Sequence, residues 1–68
     1  MNGAEFVRRV RRHARRTRQP FRFEKARGKG SHGMLYLGER RTIVKHGPIR
    51  KGLLKSMLKQ LGIEEEDI

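Results

Sequence analysis

The sequence predicts a small α+β domain of order α-β-β-β-α, and three observations carry that prediction. Apolar residues recur at helical spacing near both ends of the chain, at Phe6, Val7, Val10 and Ala14 and again at Ile49, Leu53, Leu54, Met57, Leu58 and Leu61. Between them, Phe21-Arg22-Phe23-Glu24-Lys25 alternates apolar and polar with period two, and Thr42-Ile43-Val44 is strongly β-prone. Turn signals separate these stretches, at Arg27-Gly28-Lys29-Gly30 and at Gly38-Glu39. The expected arrangement is a three-stranded antiparallel sheet with two helices packed on one face.

The first helix, residues 3–16, opens at Asn2, a good N-cap, with Glu5 placed to reach back and Met1 placed to pack on Phe6. Its apolar stripe is narrow, and arginines take the rest of the circumference. Pro20 disfavours helical backbone at Gln19, so the helix is expected to stop there. Strands are expected at 21–26, 31–37 and 40–45, the last two joined by a hairpin with Gly38 at its first turn position. Gly47-Pro48 is expected to open the last helix, 49–62, because a proline in a first helical turn loses no hydrogen bond. Gly62 supplies a left-handed residue after it, and Ile63 is placed to touch Leu58 in a Schellman stop. Residues 64–68 form an acidic tail expected to fray or to fold back on the basic body.

Length and charge narrow the function. At 68 residues and 34% apolar, the chain is expected to be a single domain, 1–68, with one two-layer core. Lys and Arg number 18 against 7 acids, a formal charge of +11. The surplus is concentrated, since residues 8–18 carry seven arginines and no acid whereas 64–67 are four consecutive acids. Arginine outnumbers lysine twelve to six, which favours phosphate because a planar guanidinium can grip two oxygens at once. A charge run is ordinarily a solvated face that keeps a small protein soluble, but +11 exceeds that need, so a polyanion is the expected partner. No apolar run is long enough to span a bilayer, and Met1 to Val10 hold no signal-peptide core. With no cysteine there is no disulfide or zinc–thiolate site, and the expectation is a cytoplasmic protein that is not membrane-bound.

Few catalytic constellations are open to this composition. Glu5, Glu24 and Glu39, the acids outside the tail, fall in three separate segments, so a paired-carboxylate site is not expected. His13, His32 and His46 have no metal-ligand spacing, and Gly28-x-Gly30 lacks the ending of a P-loop, so neither a metal nor a cofactor is expected. What remains is histidine among cations. His32 follows Arg27-Gly28-Lys29-Gly30-Ser31 and begins the central strand. Glycines there let a phosphate approach the backbone, and Arg27, Lys29 and Ser31 can hydrogen-bond it. Facing RNA, an imidazole can take the proton of a 2′-hydroxyl, whose oxygen then attacks the adjacent phosphorus with no metal required. A strand-end histidine that simply bonds a neighbour is an equal alternative for His32. His46 could be the matching general acid or could cap its turn, and Lys45 beside it reads first as surface charge. His13, among the helix arginines, is expected to be solvated. Tyr36 shares a strand face with His32 and Met34, with core packing as its default role and base stacking as the lesser one.

Taken together, Gly28-Lys29-Gly30-Ser31-His32, the hydrophobic strand after it, Thr42-Ile43-Val44-Lys45-His46-Gly47 and Leu58-Lys59-Gln60-Leu61-Gly62-Ile63 resemble the HicA mRNA interferase toxin family over nearly the whole chain. The resemblance implies the fold of the double-stranded RNA-binding domain. It implies the toxin of a type II toxin–antitoxin pair, which cleaves mRNA without the ribosome, inhibits translation, and is neutralised by a HicB-like antitoxin protein covering its active face. It places the catalytic histidine at His32 and a second, frequent histidine at His46. With the residue reading above, Arg27, Lys29, Gly30, Ser31 and Lys45 are the candidate RNA contacts. Two features depart from the family pattern: Lys45 stands where proline often precedes the second histidine, and the first helix is unusually rich in arginine. The competing reading is a non-catalytic double-stranded RNA-binding module of the same fold, holding duplex RNA by shape through the basic helix. A DNA-binding or membrane-surface peptide is disfavoured by the narrow apolar stripe, which lacks Trp.

Overall fold

The computed structural model describes residues 1–25 and 32–68. The order is α1 (Gly3–Thr17), β1 (Phe21–Lys25), β2 (His32–Leu37), β3 (Arg40–Lys45) and α2 (Lys51–Leu61), with a short 3-10 turn at Glu65–Asp67. The strands make one antiparallel sheet in the order β1-β2-β3. The α-β-β-β-α order is the one the pattern of periods predicts, and it is consistent with the double-stranded RNA-binding-domain fold that the resemblance implies. No helix among the described residues is long and apolar enough to cross a membrane.

Side-chain alternation sorts the two faces of the sheet. Leu35, Leu37, Thr42 and Val44 turn toward the helices and are buried, whereas Arg22, Met34, Tyr36, Arg41 and Ile43 lie on the open face. Into that core α1 sends Phe6, Val10 and Ala14, and α2 sends Met57, Leu58 and Leu61. Arg11 lays its guanidinium over the Phe21 ring, 5.4 Å from the centroid, and so holds the solvent side of α1 to β1.

The start of α1 is capped by Asn2, whose Oδ1 accepts the Glu5 N–H at 2.8 Å. The Glu5 carboxylate does not reach back to complete a capping box. It lies forward instead, 3.5 Å from Arg8 and 3.7 Å from Arg9, where the next turn offers two cations. At the other end the helix stops at Arg18, before the Gln19-Pro20 pair: Arg18 turns left-handed at φ 56° and the Gln19 N–H donates to the Ala14 carbonyl at 2.9 Å.

The second helix begins at Lys51 and not at residue 49, and Pro48 lies outside it. Residues 47–49 pair with the start of the chain. Gly3 N–H donates to the Gly47 carbonyl at 2.9 Å, Ile49 N–H to the Met1 carbonyl at 2.7 Å, and Asn2 and Pro48 form an antiparallel bridge. This pairing satisfies backbone groups of two segments at once, which an early helical turn at Pro48 cannot do. The far end of α2 follows the expected Schellman pattern, with Gly62 at φ 71° and the Ile63 N–H on the Leu58 carbonyl at 2.9 Å. The run 58–63 thus has a physical reason at nearly every position. Leu58, Leu61 and Ile63 are core, Gly62 makes the left-handed turn, and Gln60 accepts the Thr42 hydroxyl at 2.6 Å, tying α2 to β3.

Gly52 has no such reason, since a Cβ there would meet nothing within 4 Å. Gly52→Ala is therefore expected to stabilise the fold by about 0.5–1 kcal/mol. A thermal melt should show a rise of about 2–8 °C. A lower melting temperature would mean that the first turn of α2 is not helical.

Candidate active site

His32 opens β2 and Lys45 ends β3, and the antiparallel register sets the two directly opposite each other. Paired positions of this kind hold their Cα atoms about 4.5–5.5 Å apart and send their side chains to the same side of the sheet. His46 follows at once, and all three residues are exposed. Strand pairing therefore joins, at one edge of the fold, residues that are distant in the chain.

All three stand at the edge of a groove of about 530 Å³ that lies on the helix side of the sheet. Strand alternation places the His32 and Lys45 side chains across that edge, on the face of Met34, Tyr36 and Ile43. The groove floor is small and apolar, made by Ala4 and Val7 of α1, Phe23 of β1, Gly33 of β2 and Val44 of β3. Two glycines create it. The missing Cβ of Gly3 lets the first turn of α1 lie directly on the Lys45 carbonyl, which a side chain would overlap. At Gly33 a Cβ would strike the Phe23 ring and come within 3.0 Å of the Glu24 carbonyl, so glycine lets that ring fold across the strand. Lys25, the last residue of β1 and paired with Gly33, completes the rim.

The groove is electrostatically one-sided. Its charged lining is Lys25 and Lys45, beside His32 and His46, and no carboxylate of the described residues lines it. Nor do the described residues bring together three His, Cys, Asp or Glu side chains that could hold a metal ion. A cationic rim over an apolar floor suits a phosphodiester chain, because ammonium groups can meet phosphate oxygens while the sugar or base edge rests on the floor. Imidazoles on the same rim can take or give a proton.

Of the residues expected at the site, His32, Lys45 and His46 are brought together. Arg27, Lys29, Gly30 and Ser31 lie outside the described residues, as does the turn expected at 27–30. Lys25 was not among the expected contacts, although its place at the end of an alternating strand beside the His32 segment was a usable signal. The first turn of α1 had no such signal, because the approach of Gly3 to Lys45 is a tertiary contact.

Two other expectations change, and one that was left open is decided. His13 is not solvated; it is 8% exposed on the inner side of α1, and its Nδ1 is enclosed with no hydrogen-bond partner among the described residues. Its position follows from helical period, which places it in the stripe of Phe6, Val10 and Ala14 despite its arginine neighbours. Tyr36 is not a core residue but lies half-buried on the open face of the sheet, beneath the Arg22 guanidinium at 4.4 Å. The acidic tail folds back on α1, where Arg16 donates to the Asp67 carbonyl at 2.7 Å and Ile68 packs against the core.

A family model described as HicA toxin of bacterial toxin–antitoxin matches residues 18–63, more than half of the chain, and spans all three strands, α2, His32, Lys45 and His46. No curated protein and no solved structure matches the chain.

Proposed function

The chain belongs to the HicA toxin family of bacterial toxin–antitoxin systems, and from that premise we propose that it is a ribosome-independent mRNA interferase. On this reading it is a cytoplasmic endoribonuclease that inhibits translation by cutting messenger RNA, until a HicB-like antitoxin protein covers its groove. The observation that carries the reading is the convergence of His32, His46 and Lys45 on one cationic rim.

The chemistry follows from that rim. With RNA in the groove, His32 takes the proton of a 2′-hydroxyl. The 2′-oxygen bonds to the adjacent phosphorus as the bond from phosphorus to the 5′-oxygen breaks, and His46 gives a proton to the departing oxygen. Lys45 and Lys25 stabilise the charge that grows on the non-bridging oxygens. The products are a 2′,3′-cyclic phosphate and a 5′-hydroxyl, and the step balances without a metal or cofactor. Arg27, Lys29, Gly30 and Ser31, which precede His32 in the chain, are assigned to the flanking phosphates. The same rim would draw an acidic antitoxin by electrostatic steering, with an association rate that falls as salt rises.

The test is incubation of the purified chain with an mRNA transcript in EDTA, with no ribosomes present. Cleavage to fragments ending in cyclic phosphate is expected. A strict requirement for divalent metal would overturn the mechanism. RNA that is bound but left whole would make the chain a non-catalytic RNA-binding module.

A further inference from the structure

The arginines of α1 have no part in that mechanism, and those from Arg8 to Arg16 lie before the stretch that matches the family model. Helical geometry arranges them. Phe6, Val10, His13 and Ala14 bury one side of α1, while Arg8, Arg12 and Arg16 are exposed and succeed one another at every fourth residue. Along the helix axis that spacing is about 6 Å. Together with Arg9 they wall a cleft of about 320 Å³, floored by the buried His13 and edged by Asp67 and Ile68. The cleft shares no lining residue with the groove at His32.

Most of this charge is unspent within the fold. Arg8 and Arg9 share the single carboxylate of Glu5, at 3.5 and 3.7 Å. Neither Arg12 nor Arg16 forms an ion pair among the described residues, and the partner of Arg16 is a neutral one, the Asp67 carbonyl.

We propose that this cleft is a second phosphate-binding site, which grips the backbone of an RNA strand away from the groove at His32. The proposal rests on the reading of the chain as a protein that acts on RNA. Exposed arginines on successive turns of one helix can meet successive phosphates of a strand, and each guanidinium can hold two oxygens. A protein partner fits less well, because protein interfaces are built around a desolvated apolar anchor. The apolar lining here is confined to the half-buried Ile68. Asp67 lines the cleft and Glu66 lines the adjoining cavity beside Arg16, so the negative charge of both residues opposes an approaching phosphate.

Two variants test this in a His32→Ala background, which is chosen to keep the RNA whole, by anisotropy of a labelled single-stranded RNA across a salt series. Replacing Arg8, Arg12 and Arg16 together by Gln is expected to weaken binding about tenfold or more near physiological salt. The slope of log affinity against log salt should fall by about 2, since each phosphate contact on a single strand contributes about 0.7. Glu66→Gln combined with Asp67→Asn should tighten binding, and it keeps the Arg16 bond because that bond uses the Asp67 backbone. Unchanged affinity and slope in the arginine variant would overturn the proposal. So would a loss confined to antitoxin binding, which would make the cleft a protein surface. Because the readout is binding, a slope change in these variants, found together with a wild-type protein that leaves RNA whole, would support the cleft and sink the ribonuclease reading alone.

Discussion

Gly3→Val is expected to lower the melting temperature by about 10–20 °C. A Cβ at this position would overlap the Lys45 carbonyl oxygen and stand 3.3 Å from both the Lys45 carbonyl carbon and the Val44 Cγ1. The obstacle is backbone, which cannot rotate aside as the end of a side chain can. Relief requires the first turn of α1 to lift off β3, and that breaks the bond of Gly3 N–H to the Gly47 carbonyl and disturbs the pairing of Ile49 with Met1. Overpacking of this kind costs about 1–3 kcal/mol, and a rigid partner puts it at the upper end. A domain of 68 residues holds only about 3–10 kcal/mol in all, and each kcal/mol is worth about 4–8 °C at this size. The groove would lose its shape with the fold, because Gly3, Lys45 and His46 all line it. A melt followed by circular dichroism decides the matter, and a midpoint matching wild type would mean that α1 is not seated on β3 as described.

His32→Ala is expected to act in the opposite manner, with a large loss of activity and almost none of stability. Removing a general acid or base from a cleavage step ordinarily costs about 10²–10⁴-fold in rate. The side chain is exposed, so stability should change by no more than about 0.5 kcal/mol. RNA affinity should change little, because Lys25, Lys45 and the arginines of α1 still hold phosphate. His46→Ala should lower the rate by a comparable factor through loss of the proton donor to the leaving oxygen. Single-turnover cleavage with saturating enzyme separates these effects from binding. A His32→Ala rate equal to wild type would remove the residue from the chemistry.

The contrast between these two variants matches what the sequence made visible. Strand identity was legible because only one face of the sheet is buried: Leu35 and Leu37 alternate with His32, Met34 and Tyr36 along β2, and a period of two records that directly. The end of α2 was legible because Gly62 and Ile63 act through local backbone geometry. Its beginning was not, since the local preference of Pro48 for a first helical turn lost to pairing with Asn2 at the other end of the chain. His13 was misplaced because its arginine neighbours suggested solvent, whereas burial on a helix follows the residues three and four positions away. At the site, histidine among cations pointed to His32, His46 and Lys45 as types of residue. Their meeting at one rim depends on the β2–β3 register and on the close seat of Gly3, and the latter is a tertiary contact with no local signature.

The central claim is that a 2′-hydroxyl activated at His32 is the nucleophile. The most direct measurement compares an all-RNA strand with the same strand carrying 2′-O-methyl groups, each incubated with the wild-type protein in EDTA. The expected result is an RNA strand cut to 2′,3′-cyclic phosphate ends and a methylated strand left whole. Equal cleavage of the two would contradict it, because the 2′-oxygen would then have no part in the attack.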